Sequence, residues 1–169
     1  AKNFIKKLKY QGANFKLTTT SREESKAKEF ENINYDSFQF TKEGFDKNFK
    51  LIDNTFDDVL IEKIKSADYI LISIPPVKGK DIVIENFNKI ISESKAKWIT
   101  YLSATSVYGN HNGEWVDENS ETKPTSPSGI ERLKVEKEWM QLASKFDLPF
   151  QIFRLSGIYS NQFNILKRL

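Results

Sequence analysis

The chain has no cysteine and only one histidine, His111, in 169 residues. The first absence excludes a disulfide framework and any thiolate metal site. The second removes the imidazole cluster that most remaining transition-metal sites need, so no metal is expected. No apolar run approaches the ~20 residues that cross a bilayer, and the N-terminus carries no signal-peptide pattern. No membrane association is expected, and a cytoplasmic address is the default. Glycine is also scarce, at seven residues. None of the seven falls in a G-x-G-x-x-G turn, a P-loop or a G-x-S-x-G elbow. A serine hydrolase and a P-loop nucleotidase are therefore unsupported. Internal repeats, low-complexity stretches and linkers are absent as well.

What is present is ordinary for one soluble globular domain: 38% apolar and 29% charged residues in a chain long enough to bury a core. The whole of 1–169 reads as a single domain. Its 26 basic and 23 acidic side chains leave a mild net charge of +3. Residues 1–50 hold 11 basic and 7 acidic groups. That local excess could serve an anionic ligand, although a solvated lysine-rich surface explains it more simply. No dense basic run with interleaved aromatics occurs, so no nucleic-acid partner is expected.

Patterning supplies the elements. AKNFIKKLKYQG, with Phe4, Ile5, Leu8 and a glycine stop at Gly12, predicts an opening amphipathic helix. NFKLTTT is β-like, and FENINYDSFQF holds a short strand. DDVLIEKIKSA predicts a helix of about three turns. DYILISI (68–74) is a continuous apolar run, expected of a strand covered on both faces, and it stops at Pro75-Pro76. IVIENFNKIISESK predicts the next helix and KWITYLSATS the next buried strand. A polar loop fills 109–125. Ser126 is then a good N-cap with Pro127 at the first helical position, opening a helix that runs to about Phe146. PFQIFRLSG predicts a last strand. Helices alternating with buried strands imply a parallel α/β sheet of doubly wound type, with ligands beyond the strands' carboxyl ends. Four sets stand there: Thr20-Ser21-Arg22, Ile74-Pro75-Pro76, Ser103-Ala104-Thr105 and Leu155-Ser156-Gly157.

The stretch YLSATSVYGNHNGEWVDENSETKPTSPSGIERLKVEKEW resembles the extended and atypical short-chain dehydrogenase/reductases, the NAD-dependent epimerase/dehydratase group. The matching pieces are a strand end before V-Y-G (107–109), the acidic V-D-E (116–118), a proline, and S-P-x-G opening a helix. ILISIPP looks like that family's fourth strand and FRLSGIY like its sixth. The resemblance covers nearly the whole chain in order. It implies a Rossmann-type sheet with helices on both faces and a nicotinamide dinucleotide as cofactor. It also implies a small carbonyl compound or nucleotide sugar as substrate class. A homodimer is a candidate assembly, because helices around the fourth and fifth strands often pair subunits in this family.

The departures bear on chemistry. The family's relay is a Ser or Thr four residues before the V-Y-G tyrosine, and a Y-x-x-x-K pair at the start of the next helix. Ala104, Ser128 and Arg132 stand in those slots. Hydride transfer at a carbinol carbon needs an acid or base with a pKa near the working pH. A tyrosine beside a cation can be tuned toward that range. A serine hydroxyl is far less acidic, and a guanidinium stays protonated. Ser128 and Arg132, four apart, share one helical face. The resemblance implies that Arg132 still donates to a dinucleotide ribose. The plain alternative is a polar helix-entry residue and a surface cation. The phosphate-binding glycine turn that should precede Ala1 in this family has no counterpart in the sequence. The chain thus reads as a fragment, incomplete at both ends and lacking the central first strand.

Arg22 follows the second strand where an acidic residue would favour NAD, so it is a candidate for a 2′-phosphate and points to NADP ahead of NAD. Pro75 and Pro76 shape their loop rather than take part in chemistry. Tyr108 is a candidate stand-in acid, though such a tyrosine more often packs beneath its loop. His111 reads as solvated, and Asp117 and Glu118 as loop-capping groups. Two readings follow. One is a non-catalytic NAD(P)-binding protein whose relay has been replaced. The other is an active nucleotide-sugar or small-carbonyl epimerase or reductase that uses a different acid.

Overall fold

The computed structural model describes residues 15–21, 29–30, 33–39 and 58–159. The chain divides into two compact units, Ala1–Lys63 and Ile64–Leu169. The predicted helix over 1–11 and the expected site residue Arg22 lie outside the described residues.

In the first unit, strand β1 (Leu17–Ser21) pairs in parallel with β3 (Ile33–Gln39), Leu17 opposite Tyr35 and Ser21 opposite Gln39. A two-residue strand β2 (Glu29–Phe30) adds antiparallel to the far side of β3, giving the order β1-β3-β2. The segment expected to hold one short strand holds β3, and β2 ends at its first residue, Phe30. Helix α1 (Asp58–Ser66) follows, 9 residues long, with Leu60 buried and an acidic residue in its first turn where the helix dipole favours one.

The second unit carries the sheet β4-β5-β6, all parallel. Its strands are β4 (Tyr69–Ile72), β5 (Trp98–Ala104) and β6 (Phe150–Leu155). Helix α2 (Ile82–Ser92) connects the first two strands, and α3 (Pro127–Phe146) connects the last two. A parallel pair needs such a crossover, because a short turn cannot carry the chain back to the same end.

Both helix starts are set locally. Asp81 caps α2, its Oδ1 accepting from the amides of Val83 at 2.7 Å and Ile84 at 3.1 Å. Ser126 caps α3, accepting from the Gly129 amide at 3.1 Å, with Pro127 in the first turn where its missing N–H costs nothing. At the far end Asp147 takes the left-handed conformation (φ 50°), and the Leu148 amide closes on the Ala143 carbonyl.

The core lies on one face of this sheet. Ile99 and Tyr101 of β5 and Val135 and Trp139 of α3 are fully buried, joined by Val83, Phe87 and Ile91 of α2. Trp139 stacks between Phe150 (centroids 5.3 Å) and Tyr101 (6.5 Å), and its indole N–H donates to Asp81 Oδ2 at 3.0 Å. One side chain thus ties α3 to the sheet and to the start of α2. The opposite face is apolar but open. Tyr69 is 70% exposed, Leu71 63% and Trp98 45%, with Phe153 and Leu155 beside them. Register puts these residues together, since Tyr69 lies opposite Trp98 and Leu102 opposite Phe153. The expectation that the 68–74 run is covered on both faces fails here. A run of apolar residues reports that a strand is apolar on two sides, and only packing decides whether both are covered.

Candidate functional site

The carboxyl ends of β4, β5 and β6 come out at one edge of the second unit's sheet, because the three strands are parallel and in register. Three of the four expected sets therefore share that edge. Ile74 and Pro76 are half-buried and Pro75 exposed. Ser103 is buried and Ala104 half-buried, while Leu155, Ser156 and Gly157 are exposed. Ser21 ends β1 in the other unit.

After Ala104 the chain turns through a short 3-10 helix, Thr105–Val107. Against that turn sits the first turn of α3. The fit depends on Gly129. A Cβ there would stand 2.6 Å from the Ser106 carbonyl oxygen, 3.0 Å from Ser126 Oγ and 3.1 Å from Pro124 Cβ. The S-P-x-G glycine is thus a contact residue, and the helix entry is held against the end of β5 by the absence of a side chain. A second glycine closes the loop from the other side. Gly109 (φ 73°) bridges to Lys123, where any Cβ would collide with the Lys123 carbonyl.

This packing positions Ala104, Ser128 and Arg132, the residues expected at the relay positions. Ser128 is exposed at the helix entry. Arg132, one turn on, is half-buried and donates from Nη1 to the Leu102 carbonyl at 3.2 Å. That single bond leaves most of its five N–H donors unspent. Ala104, at the strand end, presents only a methyl group. Two further hydroxyls on β5 are buried without a hydrogen-bond partner: Tyr101 Oη and Ser103 Oγ.

Among the described residues Tyr101 is the tyrosine whose pKa Arg132 lowers, which raises the question of whether it serves as the acid instead of Ser128. It does not. Burial pushes its pKa well above the usual value, the Asp81 charge adds to that, and Arg132 opposes only in part. The ring is also fully buried. It stays a neutral phenol, out of a substrate's reach.

Tyr108 is 7% exposed. The Arg154 guanidinium lies over its ring at 4.8 Å, and His111 meets its edge at 6.4 Å. Arg154 is in turn held by Glu136 of α3, with Nε 3.2 Å from both carboxylate oxygens and Nη2 2.8 Å from Oε2. The paired carboxylate holds the Arg154 pKa above its ordinary value, the Glu136 hydrogen bonds being the main cause. Reading the sequence alone misses Glu136 and Arg154, as well as Asp81. Glu136 carried a signal, since Ser128, Arg132 and Glu136 fall at i, i+4 and i+8 on one helical face.

Beside the strand end an open cavity of about 320 Å³ is lined by Thr105, Tyr108, Asn110, His111, Glu114 and Val116, among others. Its loop is self-supporting. His111 Nε2 lies 3.0 Å from the Glu121 carbonyl, and Asp117 Oδ1 accepts from the Asn119 amide and the Ser120 hydroxyl. Those bonds hold the Asp117 carboxyl below its usual pKa, the Ser120 bond first. Trp115 is fully exposed on this loop. Among the described residues no group of acidic or histidine side chains could hold a metal ion, and no helix is long and apolar enough to cross a membrane.

The residues at this edge offer a half-buried cation with donors to spare, the exposed hydroxyls of Ser128 and Thr105, and the buried hydroxyls of Tyr101 and Ser103. A phosphate-cradling glycine turn has no counterpart among the described residues.

No family model and no curated protein matches the chain. Among solved structures, a functionally unknown conserved protein from Silicibacter pomeroyi DSS is 26% identical, with a TM-score of 0.72 over 100% of this chain and 53% of its own. UDP-N-acetylglucosamine 4-epimerase from Bacillus cereus is 18% identical, with a TM-score of 0.62 over 97% of this chain and 54% of its own. UDP-glucuronic acid 4-epimerase from Bacillus cereus, solved in complex with NAD, is also 18% identical, with a TM-score of 0.55 over 74% of this chain and 40% of its own. The chain spans about half the length of the first two. These likenesses establish the fold, and it is a Rossmann-type α/β fold shared with the two UDP-sugar epimerases.

Proposed function

We infer that this protein binds a nicotinamide dinucleotide at the carboxyl edge of β4-β5-β6 and does not run the tyrosine-dependent oxidoreductase mechanism. The observation that carries this reading is the contact between Gly129 and the Ser106 carbonyl. The contact fixes the helix entry against the end of β5, which supports reading Ser128 and Arg132 as occupants of the relay positions that cannot carry the relay's proton chemistry. Arg132 binds and orients a ribose, and the turn at Ile74-Pro75-Pro76 shapes one wall. Ser103, Ala104, Leu155, Ser156 and Gly157 form the remaining floor. Arg22 favours NADP, which a comparison of NADP and NAD binding tests.

A bound dinucleotide supplies a hydride donor or acceptor. The chain's own groups supply no proton to match it, because Ser128 is too weakly acidic and Arg132 too strongly basic to exchange one near neutrality. The protein is then a dinucleotide-binding module, with a protein partner or a cofactor-sensing role.

One observation favours an active enzyme: Tyr108 lines the cavity beside the strand end. In that reading Tyr108 is the acid and a nucleotide sugar, as in the UDP-sugar epimerases, is the substrate class. A single assay separates the two. NADH and NADPH oxidation is followed with a panel of carbonyl compounds and nucleotide sugars. No turnover by the native protein, with a gain in the Ala104→Ser, Ser128→Tyr, Arg132→Lys variant, supports the binding module. Native turnover that Tyr108→Phe abolishes supports the enzyme.

A further inference from the structure

We propose that the loop 109–125 is a docking surface for a basic protein segment, with the Trp115 side chain as its anchor. The inference names the kind of protein partner that the binding-module reading calls for, and it rests on that reading only for the expectation of a partner.

It starts from a tryptophan held in water. Trp115 is 101% exposed, and Val116 beside it 36%. An indole is the largest apolar group a chain can bury, and leaving it wholly in solvent gives up that stabilisation. The loop's backbone is fixed without it. The Lys123 amide donates to the Tyr108 carbonyl and the Glu114 amide to the His111 carbonyl, both at 3.0 Å. The Asp117 amide donates to Ser120 Oγ and the Asn119 amide to Asp117 Oδ1, both at 2.9 Å. None of these bonds uses the indole. Trp115 therefore stands on a preorganised support, which loses little entropy on binding, as the aromatic anchor of an interface does.

The charge around it says what kind of surface it meets. Residues 114–121 hold four carboxylates, Glu114, Asp117, Glu118 and Glu121, and no basic residue, in a chain of net charge +3. Glu121 is paired with Lys123 at 2.9 Å, and the Asp117 carboxylate accepts from the Asn119 amide and the Ser120 hydroxyl. Glu114 and Glu118 are exposed and have no ion-pair partner among the described residues. They repel a nucleic acid or an anionic lipid surface and attract lysine or arginine.

The cavity beside the loop completes the fit. Its lining includes Glu114 and Val116, the residues on either side of Trp115, together with Tyr108 and His111. A projecting indole and a recess of about 320 Å³ thus stand side by side. A lysine or arginine entering the recess brings its apolar stem to Val116 and its charge to Glu114. The partner that suits both features carries an apolar pocket for the indole and a basic side chain next to it.

The test pans a phage-displayed library of random dodecapeptides on the immobilised full-length protein and measures an enriched peptide by fluorescence anisotropy. Enriched sequences should combine lysine or arginine with aliphatic or aromatic residues. Trp115→Ala should weaken binding roughly thirtyfold, as for truncation of a buried anchor, and leave the melting temperature unchanged, since the side chain is exposed. Glu114→Gln with Glu118→Gln should cost about fivefold and make binding less sensitive to salt. Enrichment of peptides without basic residues, or binding that Trp115→Ala leaves intact, overturns the proposal. So does a dimer in sedimentation that Trp115→Ala dissociates, because the occupant is then a second copy. Titration with NADH and NAD⁺ alongside separates the two readings. Peptides that fail while a dinucleotide binds overturn the docking surface alone. Peptides that bind as expected where neither dinucleotide does support the docking surface and overturn the dinucleotide reading.

Discussion

Gly129→Ala is the sharpest test of how the site is built, because two effects of known size oppose each other there. As a plain helix substitution it should stabilise, since alanine is favoured over glycine in a helix by up to about 1 kcal/mol. The contact predicts the reverse. The new Cβ would stand 2.6 Å from the Ser106 carbonyl oxygen, against roughly 3.3 Å for the closest comfortable C···O approach. The obstruction is backbone, so no side chain can swing away. The helix entry must retreat from the 3-10 turn by about 0.7 Å, the difference between those two distances. Overpacking of this kind costs about 1–3 kcal/mol, and a backbone obstacle places it near the upper end. The net is a loss of about 2 kcal/mol, or a fall in Tm of roughly 4–8 °C for a chain of this size. Dinucleotide affinity should fall with it, because Ser128 and Arg132 ride on the displaced turn. Gly157→Ala serves as the thermal control, since a Cβ there meets nothing within 4 Å. Differential scanning calorimetry of the three proteins decides the matter. A Gly129→Ala protein that melts at or above the native temperature would refute the claim that this glycine sets the position of the helix.

Glu136→Gln should destabilise by about 3–5 kcal/mol, because it leaves the Arg154 guanidinium, 21% exposed, without its carboxylate. Chemical denaturation measures this, and the double variant Glu136→Met, Arg154→Met should lose less than the single one. Asp81 gives a pH signature. Burial raises its carboxyl pKa above the ordinary value, outweighing the Trp139 and amide hydrogen bonds that lower it. The native state therefore takes up a proton more readily than the unfolded chain. The stability this residue contributes is fully present below the ordinary carboxyl pKa and is lost as pH rises through the raised one. Asp81→Asn keeps a capping oxygen and should flatten that decline in melts taken across the acid range.

The sequence shows the second unit's elements clearly and its contacts poorly, for a physical reason. The start of α3 was legible to the residue, since Ser126 and Pro127 act through backbone groups two or three positions away, and a local cause leaves a local trace. β5 was legible to within two residues at its ends, whereas β4 ends at Ile72, short of the expected stop at Pro75. Asp81 was legible in principle as an acidic residue just before an apolar-periodic run, but its second partner, Trp139, lies 58 positions on. Arg154 and Glu136 are 18 apart and on different elements. A charged residue on an amphipathic helix or strand reads as solvent-facing until something shows what it meets. The exposed face of β4 is the complementary failure. Tyr69 and Leu71 have the letters of a core, and no pattern in one strand shows that they stay exposed.

At the end of β5 and the first turn of α3, backbone geometry and side-chain acidity are separate properties. The local devices that bring the first turn of α3 to the end of β5 are all present: the Ser126 cap, the proline after it, and the glycine that admits the Ser106 carbonyl. Those devices act through backbone geometry and would be needed by any ligand-binding version of this fold, catalytic or not. The replaced letters act through side-chain acidity, which only catalysis needs. A chain under no demand for a precise crevice would have had no use for Gly129 in particular, since alanine there would favour the helix if space allowed. In the proposed reading, a tight entry without titratable groups separates binding from proton transfer. It leaves Arg132 as a donor and a charge, and both of those properties are independent of pH.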